Sequence, residues 1–241
     1  MAGHSKWANI KHRKGAQDKK RSKVFSRIIK EITIASKMGG SDVESNPRLR
    51  IAIQNAKGAN MPKDNIERAI KKATSNDSGN IFEMQFEGYG PYGIAVFIDG
   101  AADNKNRIVS NIRAIFTKHG GSLGTKGSLD FIFNTIGVFQ LEKETIKLEL
   151  EDLEMDLIDY GLEDLEIEDN KVILLTSFHN FGLMQTKLEK MDIKIINAEV
   201  HKIPKEYINL DQEKTEKILK MIYKFEEEED VQNVFHNLQL N

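Results

Sequence analysis

FEMQFEGYGPYGIAVFID, Phe82 to Asp99, decides the fold class. Two apolar-rich runs, Phe82–Gly88 and Ile94–Asp99, flank Gly88-Tyr89-Gly90-Pro91-Tyr92-Gly93, which is the pattern of a β-hairpin. The three glycines also satisfy G-x-G-x-x-G. A dinucleotide site needs them between a strand and a helix, so that pyrophosphate meets the helix N-terminus. Here Pro91 intervenes and a strand follows, so the motif reads as a hairpin loop.

Downstream, Asn104–His119 reads as a helix with Ile108, Ile112, Ile115 and Phe116 on one face, closed by Gly120-Gly121. Ile136–Leu141 reads as a strand. Residues 144–160 read as an acidic amphipathic helix on Ile146, Leu150, Leu153 and Leu157, ended by Gly161. A second hairpin follows, Leu165–Glu168 and Val172–Thr176 over Asp169-Asn170. Then come helix Phe181–Met191 and strand Ile193–Ile203. Helix 212–225 and strand Val231–His236 finish the chain. The order hairpin, helix, strand thus occurs twice, at 82–141 and 165–203, which predicts two related α+β units. The pattern leaves open whether the second is inserted into the first.

Upstream the periodicity is helical. From about Asp18, Val24, Phe25, Ile28, Ile29 and Ile32 share one face, and Gly39-Gly40 ends the helix. Asn46-Pro47 starts a second, since Asn caps well and Pro fits a first turn. Leu49, Ile51, Ala52, Ile53 and Ala56 form its apolar side, and Gly58 stops it. A third starts at Pro62, with Asp64 near its positive end and Ile66, Ala69, Ile70 and Ala73 as its buried stripe. Three short helices predict a small bundle. Ser75 to Asn80 reads as a linker, and residues 1–16 as a flexible basic arm.

The net charge of −2 hides a strong asymmetry. Residues 1–72 hold 18 Lys+Arg against 6 Asp+Glu, a net of +12, and the remainder carries −14. Such a split assigns separate jobs to separate segments, and so dense a basic region predicts phosphate binding. The candidate contacts are Lys6, Lys11, His12, Arg13, Lys14, Lys19, Lys20, Arg21 and Arg27, extended by Arg48, Lys57 and Lys63. Lys23, Lys30, Arg50, Arg68, Lys71 and Lys72 enlarge the same surface. Trp7, the only tryptophan, either stacks on a base or packs the arm onto the bundle.

Composition narrows the function classes. The chain has no cysteine, which excludes disulfides, thiolate metal sites and cysteine catalysis. His4, His12, His119, His179, His201 and His236 are scattered, without H-E-x-x-H or paired-ligand spacing, so no metal site is expected. There is no G-x-S-x-G elbow. Gly120 to Ser128 lacks the G-K-[ST] order of a Walker site and reads as a mobile glycine-rich loop, able to touch a phosphate. Glu226–Glu229 reads as a solvated helix end. The expectation is no enzymatic activity and no cofactor. No apolar run approaches the length of a membrane helix. No apolar segment follows the basic N-terminus, so the expected location is the cytoplasm.

The segments Met1-Ala2-Gly3-His4-Ser5-Lys6-Trp7-Ala8-Asn9-Ile10-Lys11-His12-Arg13-Lys14, Asn46-Pro47-Arg48-Leu49-Arg50 and Ala59-Asn60-Met61-Pro62-Lys63-Asp64-Asn65-Ile66-Glu67-Arg68-Ala69-Ile70 resemble the YebC/PmpR family, which includes the mitochondrial translational activator of cytochrome oxidase. So do Glu87 to Pro91, Asp103 to Arg107, Gly120 to Gly124 and Asp230 to Asn237. Tyr92 stands where a second glycine is usual. The resemblance implies a multi-domain α and α+β protein, with an N-terminal three-helix bundle followed by two ferredoxin-like α+β domains, the last inserted into the middle one. The expected boundaries are 1–75 for the basic nucleic-acid-binding domain, 81–141 plus 206–241 for the middle domain and 142–205 for the acidic insert. It also implies a nucleic-acid-binding regulator of gene expression, described either as a DNA-binding transcriptional regulator or as a ribosome-associated translation factor. The latter acts on ribosomal RNA at difficult proline-containing stretches. The expected partners are DNA or ribosomal RNA, and with the latter the ribosome. No membrane or small-molecule substrate is expected, and the expected state is a monomer.

Overall fold

The structure, a computed structural model, describes Trp7, residues 21–75 and residues 79–240. It is mixed α+β, with seven α-helices and two four-stranded antiparallel sheets among the described residues. It divides into two compact units. One is built from Gly79–Asn134 and Lys202–Asn241, with the few described residues before Val24. The other is built from Val24–Ser78 and Thr135–His201.

In the first unit, β1 (Phe82–Tyr89) and β2 (Ala95–Ala102) form the expected hairpin, in register from Phe82 opposite Ala102 to Tyr89 opposite Ala95. The loop closes where the Gly90 amide donates to the Ile94 carbonyl (2.8 Å). Tyr92 takes φ +61° and Gly93 φ +76°. Tyr92 therefore occupies left-handed backbone, a conformation glycine adopts without steric cost.

The sheet order is β3-β1-β2-β8, with β3 at Ser122–Leu123 and β8 at Val231–His236. Helices α4 (Lys105–Lys118) and α7 (Gln212–Glu227) cover one face. Phe86, Ile98, Ile108, Ile112, Ile218 and Phe225 form the core between them, and the Phe116 and Phe225 rings lie 4.7 Å apart. The opposite face buries Ala95, Phe97 and Phe235 with Leu129 and Phe133.

Asp99 lies on β2. Burial raises its carboxyl above the ordinary range, and hydrogen bonds from Gln85 and Asn233 and the Lys202 charge only partly offset this. A raised folded-state value means that stability is fully present below pH ~4 and is lost as pH rises through the shifted value. Asp99→Asn should therefore raise the melting temperature at neutral pH and leave it unchanged in acid, as read by calorimetry across pH.

The second unit contains α1 (Arg21–Gly39, from Val24 onward), α2 (Pro47–Gly58) and α3 (Lys63–Thr74). They pack around Ile32, Ala35, Leu49, Ala52, Met61 and Ile66. Asn46 is the joint of the bundle. Its Oδ1 accepts from the Leu49 amide (3.0 Å), and its Nδ2 donates to the Ala35 and Gly40 carbonyls (2.8 Å each).

The same unit holds β4 (Phe133–Glu142, from Thr135), α5 (Leu150–Ile158), β5 (Leu162–Glu168), β6 (Lys171–Ser177), α6 (Phe181–Lys190) and β7 (Ile195–Pro204, to His201). The sheet order β5-β6-β4-β7 with helices between the outer pairs is the ferredoxin-like βαββαβ arrangement. Its core is Phe139, Leu141, Leu153, Leu157, Leu174 and Leu188.

Two expectations need correction. Ile136–Leu141 was expected in the middle domain, but β4 pairs antiparallel with β6 from Ile136 opposite Ser177 to Glu142 opposite Lys171. This strand therefore belongs to the inserted sheet. Its residues 136–141 are buried without alternation, so the sequence pattern marks a strand but not its partner. The expected helix 144–160 shrinks to Leu150–Ile158. Thr145 instead makes a turn, its hydroxyl donating to the Glu142 carbonyl (2.7 Å) and accepting from the Lys194 amide (3.0 Å). Ile146 then packs against the insert core from an extended segment.

Bundle and insert meet along the edge of β7. The Asn55 side-chain amide donates to the Ala198 carbonyl (2.9 Å) and accepts from the Ala198 amide (2.8 Å). It thus replaces the neighbouring strand that β7 lacks on that side. Ile51 packs against the insert core, and Arg50 reaches Glu189 at 3.4 Å. Among the described residues, no helix is long and apolar enough to cross a membrane.

Candidate nucleic-acid interface

The basic residues of the bundle divide into those the fold consumes and those it presents. Arg48 belongs to the first group: its Nε and Nη2 donate to the two Glu31 oxygens at 2.7 and 3.1 Å. Arg50 donates to the Val43 and Glu44 carbonyls (3.0 and 2.6 Å) as well as meeting Glu189. The Asn46-Pro47-Arg48-Leu49-Arg50 run therefore builds the joint between α1 and α2.

The second group lies chiefly on α3. Ile66, Ala69 and Ala73 are buried on one side, while Lys63, Arg68, Lys71 and Lys72 are exposed on the other. The Lys63 side chain is 86% exposed and only loosely paired with Glu67 (3.4 Å), a contact worth little in water. Lys57 is exposed near the end of α2, and Arg27 is half-buried on α1. Arg21 opens α1. Lys6, Lys11, His12, Arg13, Lys14, Lys19 and Lys20 lie outside the described residues. Trp7 is only 6% exposed.

Other family-like runs also turn out to be structural. Arg107 donates from Nε and Nη2 to Asp230 Oδ2 (3.1 and 2.7 Å) and from Nη2 to Asp103 (2.8 Å). Asn104 caps α4 by accepting from the Asn106 and Arg107 amides. The Asn237 side chain accepts from the Ala95 amide (2.9 Å). Glu226–Glu229 is only in part the solvated end expected, with Glu227 and Glu229 exposed. Glu226 is buried, and Glu228 accepts from Asn111 (3.0 Å), because the last turn of α7 faces the core through Phe225.

Gly120 to Ser128 also departs from expectation. Ser122 and Leu123 pair with Tyr89 and Gly88 of β1. Glu87, 4% exposed, directs its carboxylate beneath the loop. Oε1 accepts from the Gly127 amide (2.7 Å). Oε2 accepts from the Leu129 amide (2.7 Å) and the Ser128 hydroxyl (3.4 Å). The Gly124 amide donates to the Glu87 carbonyl (2.7 Å). The glycine-rich stretch is thus tied to β1 by a buried carboxyl group. In the sequence Glu87 opens a family-like run, Glu87 to Pro91, but nothing local gives it a loop to hold. Glu87→Gln keeps one acceptor oxygen and turns its amide NH2, a donor, toward the other backbone N–H. It should cost about 1–3 kcal/mol, lowering the thermal midpoint in calorimetry; an unchanged midpoint would mean the carboxylate does not hold the loop.

Among the described residues, no group of three or more His, Asp or Glu is placed to hold a metal ion. The fold and site together define a mixed α+β protein in which a cationic helical bundle is joined to α+β sheets. The chain belongs to the TACO1/YebC family: residues 5–76 match its N-terminal domain and residues 81–238 its second and third domains. It is 52% identical over 217 residues to a "probable transcriptional regulatory protein" of Porphyromonas gingivalis, covering 90% of this chain and 89% of that one. It is 47% identical over 241 residues to one so named from Dictyoglomus thermophilum, covering 100% and 96%. The crystal structure of a conserved hypothetical protein from Aquifex aeolicus superposes with a TM-score of 0.79 at 38% identity, covering 98% of this chain and 97% of that one.

Proposed function

We propose that this chain is a non-enzymatic regulator of gene expression that binds nucleic acid phosphates through its basic N-terminal domain, residues 1–75. One observation carries the reading: residues 1–72 hold a net charge of +12 in a chain whose total is −2, and α3 keeps its cations exposed. The relatives named as transcriptional regulators support the regulatory part. Lysines and arginines spread along an exposed helix face address a backbone rather than a base edge, so binding should depend on salt more than on sequence. With about five phosphates neutralised, log K should fall against log salt with a slope of roughly −4 to −5 on duplex DNA. The acidic insert repels phosphate and adds nothing to that binding.

The target is DNA or structured RNA, and a parallel titration of the full chain against purified ribosomes and duplex DNA near physiological salt separates the two. Tight binding to particular DNA sequences makes it a transcriptional regulator. Saturable ribosome binding with weak, salt-sensitive DNA binding makes it a translation factor. Binding to neither would overturn the proposal.

A further inference from the structure

Phe131 is 68% exposed, the most exposed aromatic side chain among the described residues. It sits on a held segment. The Ser128 amide donates to Thr125, Asp130 to Gly127 and Ile132 to Leu129, at 3.2, 3.4 and 2.9 Å. Leu129 and Phe133, on either side of Phe131, are buried against the open face of the first sheet. Glu87 fixes the N-terminal end of the same segment. The ring is therefore displayed from rigid backbone, which lowers the entropic cost of any contact it makes.

Two exposed lysines lie beside it. Lys126 is exposed at the turn before it. Lys205, also exposed, donates its backbone amide to the Ile132 carbonyl (2.9 Å), which places it next to Phe131 in space. Neither lysine is drawn into an ion pair among the described residues. Asp130 is the one acid between Gly124 and Asn134, and Glu206, also exposed, follows Lys205, so the lysines are set among acids rather than in a uniform field.

We propose that this surface is a second nucleic-acid contact, for an unpaired nucleotide. Its base stacks on Phe131, and the flanking phosphates meet Lys126 and Lys205. The site lies in the α+β part of the chain, away from the basic domain in sequence, and rests on the nucleic-acid reading above. An aromatic face can stack only on a base that is itself unstacked, so a duplex cannot use it. The two lysines supply the backbone contacts that a single strand needs. The surface therefore discriminates looped or single-stranded nucleic acid from a regular helix, which the basic domain does not.

The test uses the full chain with a labelled short single-stranded RNA and a labelled DNA duplex, each titrated by fluorescence anisotropy. Phe131→Ala should weaken the single strand at least about fivefold and leave the duplex unchanged. Phe131→Trp should keep the affinity and show emission quenched on binding. Lys126→Glu with Lys205→Glu should weaken the single strand and flatten its salt slope. Phe131 contributes little to the core at 68% exposure, and an unchanged thermal midpoint checks that the variants fold. The proposal is overturned if the wild type binds no single strand, if Phe131→Ala leaves single-strand affinity intact, if both probes lose equally, or if Phe131→Leu binds as tightly as the wild type. If the duplex still binds in an arm-dependent way, only this second site falls. If neither probe nor ribosomes bind, the parent reading falls with it.

Discussion

Gly58→Ala is expected to lower the thermal midpoint by roughly 3–10 °C. A Cβ built at Gly58 would stand 1.9 Å from the Ile196 carbonyl oxygen and 2.9 Å from its carbon. The obstacle is backbone, which cannot swing aside as a flexible side chain can, so α2 must move off β7. That movement would also break the paired hydrogen bonds between Asn55 and Ala198. Asn55→Ala isolates the second effect: it leaves an amide and a carbonyl on the strand edge without their partner, at about 2 kcal/mol. Calorimetry reads both variants. Protease cleavage within 195–201 should rise in parallel. Two variants with wild-type midpoints would mean that α2 does not cover this edge. The same contacts bear on experimental design. Deleting residues 1–75 removes the cover of β7 and Ile51 from the insert core, so charge reversal tests the basic domain more cleanly than truncation.

Such a reversal, Lys11, Arg13 and Lys14 to Glu, should have the largest effect on binding. Three of about five phosphate contacts become repulsive, so affinity near physiological salt should fall roughly 100-fold or more, and the salt slope should flatten to about −2. The loss should be equal across unrelated sequences, because phosphate contacts carry no base information. Filter binding at several salt concentrations measures both quantities. Unchanged affinity would remove the arm from the mechanism. Exposed acids of the insert, such as Glu151 and Glu154, make the better neutral control. Changing Glu226 would disturb the core as well.

Local signals in the sequence were enough for the hairpin, the helices and most of their ends. Gly88 to Gly93 sits between an alternating run, Phe82–Glu87, and a continuous apolar one, Ile94–Ile98, Asn46 and Asn104 precede helical stripes, and Ile108, Ile112 and Phe116 recur at helical spacing. Pairing between distant segments was not local. β4 is buried on both sides and shows no alternation, so nothing within Ile136–Leu141 names β6 as its neighbour. The short α5 was overread because Ile146 keeps helical spacing with Leu150 and Leu153 while Thr145 diverts the backbone.

The candidate site was legible as charge and not as geometry. Arg48 and Arg50 carry the same charge as Lys63, yet Glu31 and backbone carbonyls engage them. Only the folded chain separates cations that hold the bundle together from cations it displays. The role of Glu87 was illegible for the complementary reason, since it depends on a loop 40 residues away in sequence.

Contact mapping tests the central claim most directly. The full chain would be cross-linked by ultraviolet light to the nucleic acid it binds most tightly, and the modified peptides identified by mass spectrometry. Cross-links are expected to concentrate in residues 1–75, with a further one at Phe131 when the ligand contains unpaired bases. Cross-links confined to the acidic insert, residues 142–205, with none in the first 75 residues, would contradict the central claim.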